Sequence, residues 1–153
     1  LRLGSKTGAL ITLIGDIAKG LLPILAVKTW ISDEPLLLAS LGLGAILGHL
    51  FPIYFKFVGG KGVATALGVF LALTPIVALI QVITWLAVTL GFRYSSLAAL
   101  VTAIATPLYV WLINQNIYFT VLSTVIAILL VFRHKNNIQR LANGTEKKIK
   151  FHK

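Results

Sequence analysis

The chain has 153 residues, of which 58% are hydrophobic, and its 14 Lys and Arg against 4 Asp and Glu give a formal net charge of +10. This apolar content is well above that of soluble domains, and it excludes an ordinary soluble fold. The charges lie at the ends of apolar runs and in the tail, so binding of nucleic acid through a basic face is not expected. Cysteine is absent, which excludes disulfides, a thiolate nucleophile and a Cys metal site.

Long apolar segments follow one another along the chain, and each predicts a helix in a membrane. They span residues 8–30, 36–50, 63–73, 76–91, 97–113 and 117–132, and a polar, basic tail covers residues 133–153. Several segments are shorter than the roughly 20 residues of a full-thickness span, and the segment 63–73 predicts a partial or tilted one. We therefore expect an all-α, polytopic transmembrane helical bundle that forms a single integral membrane domain over residues 1–153.

The chain begins at Leu1 and contains no methionine. We therefore expect that it is truncated at its N-terminus, and that a preceding helix would raise the six segments to seven in the intact protein. The start of the chain has no pattern typical of a signal peptide.

The positions of the lysines and arginines predict how the bundle is oriented in the membrane. If the start of the chain is cytoplasmic, the alternation of spans places every strongly basic loop on that same side. These basic positions are Arg2, Lys6, Lys56, Lys61, Arg93 and the tail. Lys28 is the exception, and its long side chain can reach the interface.

The stretch GHLFPIYFKFVGGKGVATALG, residues 48–68, combines glycines with positive charge at the edge of an apolar run. Adjacent glycines allow backbone N–H groups to turn toward an anion, and the helix that begins after Gly62 adds free donors and the positive end of its dipole. Lys61 adds a full charge, so the segment Gly59–Gly62 suits a phosphate. The pattern differs from a nucleotide P-loop, and a flexible turn with one interfacial lysine is the open alternative.

Ionisable residues inside apolar runs are expensive and are usually functional or mutually paired. Asp16 and Lys19 share one helix face, so either a structural ion pair or a contact with substrate is open. His49, at the end of a segment, is more typical of a hydrogen-bonding structural group than of a catalyst. Small residues of the second segment, including Gly44 and Gly48, favour close helix packing.

The tail begins RHKNNIQRLANGTE. If it is helical, His134, Asn137, Ile138 and Leu141 lie along one side, and Gly144 is a plausible helix stop. A solvated basic tail beside the lipid headgroups is the open alternative. The sequence shows no Ser-His-Asp pattern, no carboxylate pair and no cluster of metal ligands.

The segment 48–68 and the tail motif together resemble the bacterial acyl-phosphate:glycerol-3-phosphate acyltransferase family, and the LRLG start and DIAKG at 16–20 fit the same family. The resemblance covers essentially the whole chain. It implies a seven-helix integral membrane enzyme of the bacterial cytoplasmic (inner) membrane, with its active site toward the cytoplasm. An earlier family motif of the kind S-G-N-x-G-A-T-N-x-x-R is represented here only by its closing arginine, Arg2.

The resemblance implies transfer of a fatty acyl group from acyl phosphate to the sn-1 hydroxyl of glycerol 3-phosphate, giving lysophosphatidic acid and inorganic phosphate. It implies that Arg2, Lys61 and the Gly59–Gly62 amides bind phosphate, and that His134 and Asn137 line the same pocket. Supporting roles are expected for Asp16, Lys19, His49, Arg140 and Glu146. No cofactor and no metal are expected. The expected partners are the two substrates and membrane lipids, and a functional contact with an enzyme that produces acyl phosphate is open.

Two points stay open from the residues alone. The proton of the attacking hydroxyl goes either to His134 or to a phosphate oxygen of the substrate, and the latter is favoured because no carboxylate partner for His134 is evident in the sequence. The alternative functions are a small transporter for a phosphorylated solute and a non-catalytic protein that binds anionic lipid. A soluble-type glycerolipid acyltransferase is disfavoured, because it uses a His-x-x-x-x-Asp pattern. The residue five positions after His49 is Tyr54, and the one five positions after His134 is Gln139.

Overall fold

The computed structural model describes residues 6–52 and 59–149, and within these ranges it is built from α-helices without strands. The helices are α1 (Lys6–Trp30), α2 (Pro35–Leu50), α3 (Val63–Leu73), α4 (Pro75–Phe92), α5 (Ser95–Asn114), α6 (Ile117–Arg133) and α7 (Lys135–Ala142). The six predicted apolar segments coincide with α1 to α6, and the tail contributes α7. The all-α prediction is confirmed.

Local signals set the helix boundaries. Helix α2 begins with Pro35, which needs no N–H partner at that position, and the Glu34 carboxylate accepts hydrogen bonds from the N–H groups of Leu36 and Leu37 at 3.3 and 2.9 Å. Asn116 caps α6 in a similar way, since its Oδ1 accepts from the N–H of Phe119 at 3.2 Å. The polar loop residues of the sequence therefore mark helix starts.

Three helices of the described part, α1, α4 and α5, are long and apolar enough to cross a membrane. A fourth span results if α6 and α7, which are bent by 61° where they meet, are counted together. Helices α2 and α3 are shorter, with 16 and 11 residues. Large apolar side chains such as Ile83 and Ile104 remain exposed along the long helices, as is expected for a protein whose solvent is lipid.

The chain forms two compact units, Leu1–Pro75 and Ile76–Lys153. In the first unit, α1 packs against α2 and α3, and α2 also packs against α3. In the second unit, α5 packs against α6, and α7 lies against both. Two polar contacts join α4 to α5: Gln81 Nε2 donates to Thr106 Oγ1 at 3.0 Å, and the hydroxyls of Thr84 and Tyr109 lie 3.1 Å apart.

Helices α1 and α3 approach so closely that their backbones touch at two glycines. A Cβ on Gly20 would overlap the carbonyl oxygen of Thr65, and a Cβ on Gly68 would overlap the carbonyl oxygen of Ile17. Small residues allow this approach in membranes. Of the small residues in α2, Ala39 and Gly42 are buried, as close packing requires. A Cβ on Gly44 or Gly48, by contrast, would meet nothing within 4 Å.

We expect Gly20→Ala to destabilise the first unit, because the added methyl group meets rigid backbone of α3. The new Cβ would overlap the carbonyl oxygen of Thr65 and lie 3.0 Å from the nitrogen of Val69. Overpacking of this kind costs about 1–3 kcal/mol. The matched control is Gly15→Ala on the same helix, where a Cβ meets nothing within 4 Å. Thermal unfolding of the detergent-solubilised protein should give a lower midpoint for Gly20→Ala only. Equal midpoints for the two variants would contradict the close crossing.

Lys28, the exception to the charge rule, has a structural partner. Its Nζ donates to the carbonyl oxygen of Ala72 at 3.2 Å, in the last turn of α3, where carbonyls lack partners within the helix. A cation at a helix C-terminus is also favoured by the helix dipole. The position of this lysine is therefore explained by the end of α3.

The end of α7 confirms Gly144 as a helix stop. Gly144 has φ of 68°, its N–H donates to the carbonyl of Leu141 at 3.2 Å, and the N–H of Thr145 donates to that of Arg140 at 2.8 Å. This pair of bonds is the Schellman pattern. The chain then returns to the corner between α4 and α5, where Ile149 N–H donates to the Arg93 carbonyl at 2.7 Å and Arg93 Nε donates to the Ile149 carbonyl at 3.1 Å.

The tail therefore folds back on the second unit as far as Ile149. Arg93 adopts a positive φ of 65°, a conformation that a non-glycine residue adopts at some cost. Lys148 Nζ also lies 5.5 Å from the centre of the Tyr94 ring, a cation–π distance. This part of the tail is therefore anchored to the second unit, while most of its side chains, Lys147 included, stay exposed.

Candidate functional site

The glycine–lysine segment of the first unit lies on the C-terminal end of α2. A Cβ on Gly59 would overlap the carbonyl oxygens of His49 and Leu50, and a Cβ on Gly60 would overlap Nε2 of the His49 ring. Both positions therefore require glycine for close approach. Gly62 requires it for a second reason, since its φ is 85°. The glycines of this motif thus have structural causes that the sequence did not reveal.

Helix α3 starts directly after Gly62, and no side chain caps its first turn. The N–H groups of a first turn have no partner within the helix and, with the dipole, favour an anion. Lys61 is exposed beside this helix start. The arrangement has the donors and the charge that a phosphate needs.

Asp16 joins Lys19 to His49. Lys19 Nζ lies 2.6 Å from Asp16 Oδ1, and His49 Nδ1 lies 3.6 Å from the same oxygen. The His49 side chain is only 8% exposed, whereas those of Asp16 and Lys19 are 26% and 43% exposed. The structural ion pair that the sequence left open is therefore present between Asp16 and Lys19, and the His49 ring lies beside it.

In the second unit, the Glu146 carboxylate accepts hydrogen bonds from three donors on two helices, α5 and α7. Ser96 Oγ and Asn137 Nδ2 each donate to Oε1 at 2.7 Å, and Arg140 Nε donates to Oε2 at 2.6 Å. The Glu146 side chain is 11% exposed. This carboxylate therefore connects the start of α5, helix α7 and the turn that follows it.

The environment of Glu146 lowers its pKa from 4.5 to about 2. Burial alone would raise the pKa, but the hydrogen bonds from Ser96, Asn137 and Arg140 and the charge of Arg140 outweigh it. Hydrogen bonds to the charged form favour that form. The carboxylate is therefore ionised at neutral pH and acts only as an acceptor.

His134 is buried where α6 ends and α7 begins. Its Nδ1 lies 2.7 Å from the carbonyl oxygen of Leu130. Because a carbonyl can only accept, Nδ1 carries the proton, and in the neutral ring Nε2 is then the basic nitrogen. The orienting partner of His134 is thus a backbone carbonyl.

The family model for glycerol-3-phosphate acyltransferase matches residues 1–144 of the chain. The chain belongs to the glycerol-3-phosphate acyltransferase family. Among the family's curated members, it is 51% identical to the enzyme of Laribacter hongkongensis over 152 residues, 50% identical to that of Coxiella burnetii over 151 and 47% identical to that of Methylococcus capsulatus over 149. These alignments cover 97–98% of the chain and 75–77% of each relative.

Two crystal structures of the integral membrane glycerol 3-phosphate acyltransferase PlsY resemble the model, each with a TM-score of 0.88 and 40% identity over 97% of the chain. They represent the glycerol 3-phosphate form and the lysophosphatidic acid form, and the chain covers 74% and 76% of them. This acyltransferase is thus an integral membrane protein. The family assignment also favours an enzyme over a transporter or a lipid-binding protein.

The site residues that the sequence of this acyltransferase predicted fall into the two units. The first holds Asp16, Lys19, His49, Gly59, Gly60, Lys61 and Gly62, and the second holds His134, Asn137, Arg140 and Glu146. Arg2 lies outside the described residues. Sequence reasoning missed the contact of Ser96, at the start of α5, with Glu146. It noted Arg93 only as a basic position and did not predict its contact with the tail at Ile149. Among the described residues, no group of His, Asp and Glu could hold a metal ion.

Proposed function

We propose that this protein transfers a fatty acyl group from acyl phosphate to the sn-1 hydroxyl of glycerol 3-phosphate, releasing lysophosphatidic acid and inorganic phosphate. The observation that carries the proposal is the likeness, over 97% of the chain, to a membrane acyltransferase solved in both its glycerol 3-phosphate and its lysophosphatidic acid forms. The reaction is the first acylation of bacterial phospholipid synthesis.

In this proposal, the basic and glycine-rich elements bind the phosphates. Lys61 and the amides of Gly59–Gly62 hold a phosphate, with Arg2 as a second cation. The uncapped first turn of α3 and the glycine contacts that shape the loop support this assignment. Positive groups at the membrane edge hold an anionic headgroup while the acyl chain stays in hydrocarbon.

His134 and Asn137 are proposed to contact the glycerol part of the substrate. Asn137 Nδ2 is already engaged by Glu146, so the amide oxygen is the atom that would accept a hydrogen bond from a glycerol hydroxyl. Arg140 and Glu146 hold Asn137 in this orientation. Held side chains reduce the cost of aligning the reactants.

The chemistry requires little from the protein beyond alignment and charge. The hydroxyl oxygen attacks the acyl carbonyl carbon, the bond from that carbon to the phosphate oxygen breaks, and inorganic phosphate leaves. Acyl phosphate is a mixed anhydride, so its leaving group is already good. Cations beside the phosphates stabilise the charge that develops in the transition state, whereas the loop amides serve to bind the phosphate.

The hydroxyl proton goes to a phosphate oxygen of the substrate, with His134 as the alternative base. His134 Nδ1 is oriented by the Leu130 carbonyl, which stabilises an imidazolium less than a carboxylate would. A covalent acyl-enzyme is not proposed, because the chain has no cysteine and the sequence shows no hydroxyl activated by a neighbouring base.

We expect His134→Asn to retain most turnover and His134→Ala to lose more. Asn can still donate to the Leu130 carbonyl and offer a polar group, whereas Ala can do neither. Phosphate release from acyl phosphate in the presence of glycerol 3-phosphate measures both rates. Equal losses of about 10²-fold or more in the two variants would instead identify His134 as the general base, whose contribution is of that size.

The function itself is tested by offering the purified protein acyl phosphate, acyl-CoA and acyl-carrier protein in parallel, each with glycerol 3-phosphate. We expect lysophosphatidic acid and phosphate from acyl phosphate alone. Product from acyl-CoA or acyl-carrier protein at a comparable rate would overturn the choice of donor. Uptake of glycerol 3-phosphate into liposomes without any acylation would support the transporter instead.

We further propose that the protein is a multi-pass protein of the bacterial cytoplasmic membrane. Its active site faces the cytoplasm, so that the phosphate groups of both substrates bind on that side. The support is the distribution of basic residues. Proximity to an enzyme that produces acyl phosphate would shorten the path of this labile donor. Because the chain lacks cysteine, single cysteines at Lys147 and Asp33 can report the side of each loop by labelling intact cells.

A further inference from the structure

The His49 ring is the surface on which the proposed phosphate loop lies. A Cβ on Gly60 would overlap Nε2 of this ring and come within 2.6 Å of its Cε1. The preceding glycine, Gly59, rests on the carbonyls of His49 and Leu50. Two consecutive loop residues are therefore shaped by one residue of α2 and its neighbour, directly before Lys61.

The His49 ring is in turn held from α1. Its side chain is 8% exposed, and its Nδ1 lies 3.6 Å from Asp16 Oδ1, so the carboxylate of α1 lies next to the ring edge. The same Asp16 oxygen pairs with Lys19 at 2.6 Å. A buried ring beside a paired carboxylate has little freedom to turn.

Helix α1 is itself locked in place close to Asp16. The carbonyl of Ile17, the next residue, lies against Gly68 of α3, and Gly20 lies against Thr65. Helix α3 begins directly after the phosphate loop. Asp16 and His49 thus link α1, which is packed tightly against α3, to α2, on whose C-terminal end the loop lies.

We propose that Asp16 and His49 are positioning residues that set the conformation of the Gly59–Gly62 loop and thereby its affinity for the phosphate of glycerol 3-phosphate. The inference rests on the proposed function, in which this loop holds a phosphate. His49 acts through its ring, on which Gly60 lies, and Asp16 acts by fixing that ring. Neither residue takes part in the transfer of the acyl group.

The decisive experiment is a double-mutant cycle between His49 and Gly60, read as the KM for glycerol 3-phosphate and as kcat. Gly60→Ala introduces a methyl group where the ring lies, and His49→Ala removes the ring. We expect each single variant to raise KM at least tenfold with kcat changed less than threefold. The fold-increase in KM for the double variant should be at least five times smaller than the product of the fold-increases for the two single variants, because the methyl group then occupies space that the ring has left.

Two further variants separate the shape of the ring from its charge. His49→Phe retains a flat ring without nitrogens, and we expect it to recover part of the affinity that His49→Ala loses. Asp16→Asn should raise KM in the wild-type background and have no further effect with His49→Ala. The control is Gly44→Ala on α2, where a Cβ meets nothing within 4 Å, and it should leave both constants unchanged.

The outcomes distinguish this inference from the proposed function. If wild-type protein makes no lysophosphatidic acid, or if Lys61→Ala keeps its affinity for glycerol 3-phosphate, the proposed function fails. If wild-type protein makes lysophosphatidic acid and Lys61→Ala loses affinity for glycerol 3-phosphate, the proposed function stands. An additive His49–Gly60 cycle, or a loss that falls on kcat alone, would then overturn the positioning role. Should His49→Ala not fold, as judged by size-exclusion elution, the cycle is run with His49→Asn, which keeps a polar group near the position of Nδ1 but lacks the Nε2 edge on which Gly60 lies. Additivity of His49→Asn with Gly60→Ala would overturn the positioning role equally.

Discussion

Replacing Lys61 with alanine should almost abolish acyl transfer to glycerol 3-phosphate while the fold is retained. Lys61 is exposed next to the uncapped start of α3, so its loss removes a charge from the proposed phosphate site without opening a cavity. Groups that stabilise developing charge contribute about 10²–10³-fold to turnover when a single donor is removed. We expect a loss of at least this size in phosphate release.

The control for Lys61→Ala is Lys147→Ala, which removes the same charge from an exposed position on the tail and should change turnover less than twofold. Lys61→Arg should recover only part of the activity, because guanidinium and ammonium groups differ in shape and hydrogen bonding. A protein that only binds anionic lipid would respond to Lys61→Ala and Lys147→Ala alike, with modestly weaker membrane association. Similar, small effects of the two changes would therefore count against the phosphate site.

Glu146→Ala should both destabilise the second unit and reduce turnover sharply. The change leaves Ser96, Asn137 and Arg140 without their common acceptor. A hydrogen bond to a charged group is worth about 1.5–3 kcal/mol, and three such bonds depend on this side chain. We expect the thermal midpoint to fall by several degrees, and kcat to fall because Asn137 is no longer held.

The control is Asp33→Ala, which removes a carboxylate from an exposed loop position and should alter neither quantity. Glu146→Gln is the informative intermediate variant: its amide oxygen still accepts from Asn137, but it loses the charge that pairs with Arg140. We expect its midpoint to lie between those of Glu146→Ala and wild type. A midpoint for Glu146→Ala equal to that of wild type would contradict the connecting role of this carboxylate.

The lowered pKa of Glu146 gives the same prediction a pH dependence. A carboxyl group whose pKa is about 2 in the folded protein and 4.5 when unfolded binds protons more readily in the unfolded state, so it contributes stability that is fully present above pH 4.5. That contribution is lost as the pH falls from 4.5 toward 2. The difference between wild type and Glu146→Gln in thermal midpoint should therefore shrink over this range, and a constant difference would contradict it.

The fold was largely predictable, because the lengths of the apolar runs are local properties of the chain. The six predicted segments agree with α1 to α6 to within a few residues, since Pro35, Pro75 and the polar residues between the runs also act locally, as first helical positions and caps. The stop at Gly144 is another local signal, a glycine that adopts a positive φ.

The candidate site was predictable only in part. Lys61 attracts notice because it stands beside glycines and a helix start, which suit a phosphate. His134 and Asn137 lie in a polar tail, and only the resemblance to the family assigned them to the site. Ser96, which shares the Glu146 carboxylate with Asn137, had no such signal, since a serine at the start of a helix is common. Gly20 and Gly68 were likewise missed, because a single glycine in an apolar run does not reveal what it touches.

The sequence by itself determined the class of protein, the helices and the positions of the basic residues between them, because hydropathy and charge are local properties of the chain. Only the tertiary structure decided that Gly60 lies on the His49 ring, that Asp16 lies beside this ring, and that Glu146 joins Ser96 to Asn137. The physical reason is the short range of these interactions. Steric contact and hydrogen bonding act over a few ångströms, so they depend on which distant residues the packed helices bring together.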